Sequence, residues 1–449
     1  MSPEVIALLV LGAVFLVATV RPVNMGALAL VATFIVGTFV YGMSDKEILA
    51  GFPGSMFVIL VGVTYLFALA MRNGTVDWLV HAATRAVGGR IVLMPFVMFL
   101  IPAAITAIGA AAPAACAITI PLALRFARRY EINPLLMSLM VIQGTTAGGF
   151  SPIGIYGVIV NGVTDGAGLA TNPPLLFAGT FAASSVLGAA AFLLLGGRKL
   201  IGRRHESPAK PQAETVGAAV AGGTPAPHHP GTAAATTTTQ DADQWAEERP
   251  TLDVQRVATL VGLVALIVAT LALDLHVGFV ALTIGVLLTV AFPATAKAVV
   301  DKVAWSTVLL IGGIMTYVAM LEEQGTITWL GRGIVSIGTP LIAALVLLLI
   351  GAVVSAFAST TALLGAVIPL ATPLLLAGDL NVTAVVVALC VCSSVVDCSP
   401  LSTMGALAVA NSAEEDRERM FRGLMAWGMS LVLIAPAVLW TSLILPTAS

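Results

Sequence analysis

From residue 3 onward the chain is a succession of apolar runs of about 17 to 25 residues, each long enough to cross a hydrocarbon layer of roughly 30 Å, separated by short polar turns. The runs lack the alternation of barrel strands, so they predict α-helices. Candidate spans are 3–20, 22–42, 55–71, a paired segment 91–108 and 112–129, 134–160 and 174–197. After a polar stretch come 256–273, 276–292, 305–320, a second pair 341–357 and 360–377, then 383–410 and 424–445. Two runs are interrupted halfway. GTTAGGFSPIGIYGVIVN (144–161) holds Ser151-Pro152, and SSVVDCSPLSTMGALAVAN (393–411) holds Ser399-Pro400. Ser is a preferred N-cap and Pro a preferred first helical residue, so each pair predicts one half-helix ending and a second beginning at mid-depth. Broken helices in hydrocarbon occur where they line a cavity. Two such breaks in matching halves point to a transporter's binding site.

The halves read as copies. Ser55, Gly62, Gly74-Thr75 and Trp78-Leu79 recur as Ser306, Gly313, Gly325-Thr326 and Trp329-Leu330. Ile120-Pro121-Leu122-Ala123 recurs as Ile368-Pro369-Leu370-Ala371, Asn133 as Asn381, Ser151-Pro152 as Ser399-Pro400, Gly157 as Gly405 and Asn161 as Asn411. Residues 1–200 form the first repeat, 201–252 a linker and 253–449 the second. Within the linker, His205 to Pro250 is low-complexity Ala, Thr, Pro and Gly that cannot bury a core, so disorder is expected and its His228-His229 pair is incidental. If each paired segment enters and leaves on one side, every half makes five crossings and the second copy is upside down. The expected fold is therefore an all-α polytopic membrane protein of two inverted-topology repeats. It would have about 10 spans, two re-entrant helical hairpins and broken helices at the midplane. Tight small-residue turns at 109–113 and Ser359-Thr360-Thr361 suit hairpins, with two full spans per pair as the alternative.

Composition agrees with the pattern. Of 449 residues 58% are hydrophobic and 10% charged, with mean hydropathy +1.01, which no soluble domain shows. The N-terminus lacks the basic n-region and cleavage site of a signal peptide, so it reads as a retained span. Cys116, Cys390, Cys392 and Cys398 all fall in apolar segments and read as small packing residues. Lys and Arg should concentrate in cytoplasmic loops. With the N-terminus outside, 19 of the 21 Lys and Arg lie inside, leaving Lys46 and Arg332 outside. The expectation is a multi-pass protein of the cell (inner) membrane, both termini outside, the linker cytoplasmic. The first paired segment then opens to the cytoplasm and the second outward.

Four half-helix N-termini are candidates for one place, those near Pro113, Ser151-Pro152, Ser359 and Ser399-Pro400. Free N–H groups and the positive end of the helix dipole suit each to an anion. No Lys or Arg lies within these segments, so an anion would rest on amides and on the hydroxyls of Thr145, Thr146, Ser151, Ser359, Thr360, Thr361, Ser399, Ser402 and Thr403. Carbonyls freed near Gly148-Gly149 and Val395-Val396 could coordinate Na⁺. Ser and Thr also join membrane helices by bonding back to carbonyls, so each hydroxyl can equally be glue. Asp397, an acid inside a membrane helix, is a functional candidate as Na⁺ ligand or proton carrier. Its repeat counterpart is Gly149. Trp78 and Trp329 with their flanks predict amphipathic helices at opposite interfaces, with His81 a solvated interfacial residue. No HExxH, GxSxG or clustered acids appear, so a membrane enzyme is only a distant rival, and neither an organic cofactor nor nucleic-acid binding is expected.

Three stretches, RPVNMGALALVATFIVGTFVYGMS, GFPGSMFVILVGVTYLFALAMRNGTVDWLV and INPLLMSLMVIQGTTAGGFSPIGIYGVIVNG, make the first 165 residues resemble the N-terminal region of the malonate/dicarboxylate carrier family. The whole chain is similar in layout to the divalent-anion:sodium symporter and ion-transporter superfamily. The resemblance implies inverted repeats, two re-entrant hairpins, a homodimer built on scaffold helices and elevator-like transport of a small carboxylate. The substrate expected is a dicarboxylate such as malonate or a C4 acid, coupled to Na⁺ or H⁺. A citrate-like tricarboxylate, an inorganic anion and uncoupled exchange are the alternatives. Hairpin tips of the superfamily carry Ser-Asn-Thr some ten residues before a Pro. Ser359-Thr360-Thr361 before Pro369 is close to it, whereas Ala111-Ala112-Pro113 before Pro121 departs from it. The departure removes side-chain oxygens from the first cation site. The resemblance thus adds Ser359 and Thr361 to Gly148, Gly149, Val395 and Asp397 as cation-site candidates, with Na⁺ and H⁺ both open.

Overall fold

A computed structural model describes residues 2–21, 23–86, 90–203, 252–273, 275–296, 298–326, 329, 340–356, 360–376 and 380–447. Linker positions 204–251, Ser359 and the His81 side chain lie outside the described residues, as does most of the helix expected around Trp329. Among the described residues the chain is helical throughout, without a β-strand.

The first half comprises α1 (Pro3–Val20), α2 (Met25–Phe39), α3 (Asp45–Ala50), α4 (Gly54–Arg72), α5 (Thr75–Ala86), α6 (Met94–Ala107), α7 (Ala112–Arg129), α8 (Pro134–Gly149), α9 (Ile155–Gly166) and α10 (Pro173–Leu194). The second comprises α11 (Val254–Ala272), α12 (Val277–Ala291), α13 (Trp305–Glu323), α14 (Pro340–Ser355), α15 (Thr360–Leu376), α16 (Val382–Ser394), α17 (Thr403–Ala410) and α18 (Glu414–Leu439). A 3-10 turn, Val395–Cys398, continues α16 toward α17. Segments 54–72, 173–194, 305–323, 382–410 and 414–447 are long and apolar enough to cross a membrane. At 1.5 Å per residue α6 is only about 21 Å long, short of the roughly 30 Å of hydrocarbon.

The last span differs from expectation. Its helix begins at Glu414 rather than near 424. Glu414, Glu415 and Asp416 complement the N-terminal dipole, and an Arg422–Glu418 ion pair one turn on extends the helix beyond the apolar run. α3, unforeseen in the sequence pattern, is held by a capping box between Ser44 and Glu47.

The halves exchange partners. α2 packs on α13 and α12 packs on α4, matched elements in swapped roles. At the first crossing a Cβ on Gly26 or Gly313 would overlap the facing backbone, and at the second the same holds for Gly278 and Gly62. Beside them Asn24 Nδ2 donates to Ser306 Oγ (3.0 Å), and His276 Nε2 meets Ser55 Oγ (2.9 Å). The exchange extends inward, where α15 packs on α9 and α17 on α7. Second arms of one pair thus meet the restarted half-helix of the other half.

Candidate functional site

Each break is a four-residue turn closed by an i to i+3 hydrogen bond, Gly154 N–H to Ser151 O (2.9 Å) and Ser402 N–H to Ser399 O (3.0 Å). This corrects the expected N-cap role of the Ser-Pro pairs. The N-cap of α9 is Gly154 and that of α17 is Ser402, whose Oγ accepts from Gly405 N–H (3.3 Å). Ser followed by Pro equally suits the first two positions of a turn, where Pro's fixed φ belongs. Ser151 Oγ accepts from Gly154 N–H (2.9 Å) and donates to Ala107 O (2.5 Å), joining the first break to the end of α6. Ser399 Oγ accepts from Leu401 N–H (3.3 Å). Neither Ser-Pro pair therefore offers helix N–H groups directly; those belong to the helices starting at Ile155 and Thr403.

The pairs α6–α7 and α14–α15 seat on the broken helices in the same way. Thr106 Oγ1 bonds Thr145 O (2.9 Å), and its counterpart Ser355 Oγ bonds Ser393 O, joined there by Thr360 Oγ1 (3.1 Å). The first tip turns at Gly109, at φ +105°, where a Cβ would strike Val63.

Around these seats the candidates converge unevenly. Asp397 is 4% exposed and lies beside the Thr360 side chain. Its field reaches Tyr156 and Cys116, both buried. Tyr156 in turn lies beside Thr361, and Cys116 Sγ lies 3.3 Å from Thr145 Oγ1. One buried cluster thus draws on α7, α8, α9, α15 and the second break, without a paired Lys, Arg or His among the described residues. Tyr156 and Cys116 are its members that sequence reasoning missed, a lone Tyr and a lone Cys in apolar runs reading as packing. The available signal was Gly149, whose bare backbone receives the Tyr156 ring and which aligns with Asp397.

Other candidates are already engaged. Thr145 Oγ1 donates to Val141 O (2.8 Å), Gly148 O accepts from Ser151 N–H (2.9 Å), and Val395 O accepts from Cys398 Sγ (3.1 Å). Each carbonyl keeps a second lone pair. Thr403 is exposed, apart from the buried hydroxyls. Thr146 is buried with its hydroxyl unpartnered. Among the described residues no group of three His, Cys, Asp or Glu could hold a metal ion, and the four cysteines are buried and free.

A cleft of about 460 Å³ lies between α4 and α13 on one side and α9 and α15 on the other. Ser55, Pro152, Asn161, Glu322, Pro369 and Thr372 are among its lining residues, so it reaches the first break. Pro152 is the one candidate residue on its wall.

Residues 1–149 match the family model described as the N-terminus of the dicarboxylate carrier protein MatC. No curated protein matches the chain. Among solved structures, that of the Alcanivorax borkumensis YdaH transporter, described as revealing an unusual topology, is similar at 13% identity. The likeness covers 88% of this chain and 86% of that one at a TM-score of 0.57, and at that identity it speaks for the fold alone. The first third of the chain is thus a match to the dicarboxylate carrier N-terminal family, set in a fold shared with a solved transporter.

Proposed function

We propose that the protein is a secondary active transporter of small carboxylates, dicarboxylates first among them, coupled to H⁺ or Na⁺ through Asp397. The observation that carries the reading is a carboxyl buried in the second break beside residues of α7, α9 and α15, in a chain whose first 149 residues match a dicarboxylate carrier family. An ionised carboxylate sealed in an apolar interior without a counter-charge is strongly unfavourable. When the cluster is closed Asp397 therefore holds a proton or a bound cation, and it exchanges that partner when opened. Substrate carboxylates rest on neutral donors, namely Thr360, Thr361, the Tyr156 phenol and the N–H groups at the start of α9 and α17.

Reciprocal packing of the halves supports the inverted repeat, and with it alternating access by movement of the hairpins and broken helices against the α2, α4, α12 and α13 scaffold. Exposed apolar side chains on α2 and α12, such as Phe34, Phe39, Phe279 and Leu287, suit lipid and a homodimer contact. In proteoliposomes, labelled malonate and succinate should accumulate against a gradient when the Na⁺ and pH gradients are imposed separately. Asp397→Asn should abolish accumulation yet leave counterflow, because the anion-holding groups are intact. Full accumulation by the mutant would end the coupling role. Uptake of citrate or sulfate alone would replace the substrate class.

A further inference from the structure

Gln143 is fully buried on α8, and neither its amide oxygen nor its amide nitrogen has a partner. Thr146, three residues on and therefore on the same side of the helix, is also buried with its hydroxyl unpartnered. Three sides of α8 are occupied. Gly144 and Gly148 abut the backbone of Phe99 and Ala103 on α6, Thr145 reaches Cys116 on α7, and Met140 meets Gly188 on α10. The side left for Gln143 and Thr146 faces the second half, from which Val395–Cys398, α17 and α18 pack on α8. Leaving a buried polar group unpaired costs about 1–3 kcal/mol, so an amide with both ends unpaired is retained against stability. Leu would fill the same space without that penalty.

We propose that Gln143 and Thr146 form a distal subsite that hydrogen-bonds the second carboxylate of a dicarboxylate. The inference rests on the reading of the chain as a carboxylate carrier. The amide offers two N–H donors and the hydroxyl one, a neutral set that suits a carboxylate in a core without Lys or Arg. Gln143 stands about 10 Å along α8 from the break at Phe150, with Thr146 between. A C4 acid extends from the break to Thr146, about 6 Å along α8, where the Gln143 amide one turn on meets its far carboxylate, while a monocarboxylate leaves the amide unpaired. A site built on polar groups that only the right substrate satisfies discriminates by that unpaired cost.

The test uses Gln143→Leu and Thr146→Val in purified full-length protein, reading Tm without substrate, the counterflow KM for malonate and succinate, and inhibition by acetate. The subsite predicts Tm held or raised in both variants, dicarboxylate KM raised about tenfold or more in Gln143→Leu, and acetate inhibition unchanged. Unchanged dicarboxylate KM in both variants, with wild-type uptake intact, overturns the subsite alone. A fall in Tm of several degrees in both also overturns it, since the groups would then have structural partners. Absence of dicarboxylate uptake by the wild type overturns the carrier reading together with the subsite.

Discussion

The two halves share a scaffold and differ in their chemistry. In the first, α6 presses backbone to backbone on α8 at Gly144 and Gly148. The aligned residues of the second half are Cys392 and Val396, and Gly351 faces the Ser393 hydroxyl with room nearly sufficient for a methyl group. The first tip, Ala110 to Ala112, has no side-chain oxygen, while the second half brings Thr360 and Thr361 to the site. Gly149 and Tyr156 of the first half face Asp397 and Met404 of the second as repeat partners. The second half thus brings the acid and the tip hydroxyls, while the first brings a closely fitted wall with Tyr156, Gln143 and Thr146 set in it.

The sharpest way to break the comparison is topological. Glu131, in the loop after α7, and the exposed Leu376, at the end of α15, occupy the mouths of the two paired segments. Single cysteines there should be labelled from opposite faces, all or none, and labelling from one face would end the inversion. All native cysteines are buried, which keeps the background low.

Next in size is packing. Gly144→Ala drives a methyl group into the Phe99 backbone and should cost about 1–3 kcal/mol or more. Gly351→Ala meets only the Ser393 hydroxyl at 3.2 Å and should change thermal stability little. Equal losses would mean that the first half is no more tightly fitted than the second.

Smaller effects should separate the chemistry. Tyr156→Phe and Thr361→Ala each remove one neutral donor, about 1 kcal/mol or several-fold in substrate affinity. Met404→Leu and Ala111→Ser, at the matched or opposite positions, should leave uptake affinity near wild type. Comparable losses on both sides would assign the hydroxyls to packing.

The smallest effect concerns α3. Hydrogen bonds from the Ser44 backbone and hydroxyl hold the Glu47 carboxyl below its usual range. A depressed folded value means that the contribution is present above the unfolded carboxylate range and is lost as pH falls through the folded one. Ser44 and Glu47 align with Thr295 and Ala298, so the second half has no carboxylate with which to form such a box. Acid-side thermal unfolding of wild type and Ser44→Ala should therefore converge as pH falls, and a constant gap would exclude Glu47.

Spans and breaks were legible because hydrocarbon tolerates few interruptions, so each polar or Pro position stands out. The Ser-Pro pairs were misread since N-cap and turn use the same two residues. Only the fourth residue, Gly154 or Ser402, distinguishes them, by taking the N-cap position. Tyr156, Cys116 and Gln143 were missed because an isolated side chain in an apolar run carries no periodic signal. Their significance arises from neighbours brought together by swapped packing between halves, which no local pattern encodes. The charged first turns of α18 escaped notice for the opposite reason, since hydropathy marks the buried length and not the helix.

The glycine crossings act as spacers between the halves. Gly26 meets Gly313 and Gly278 meets Gly62, while Asn24 with Ser306 and His276 with Ser55 repeat the contact beside them. A side chain larger than hydrogen at any of the four glycines would push α2 off α13 or α4 off α12, so the paired crossings together fix the distance at which the halves are held.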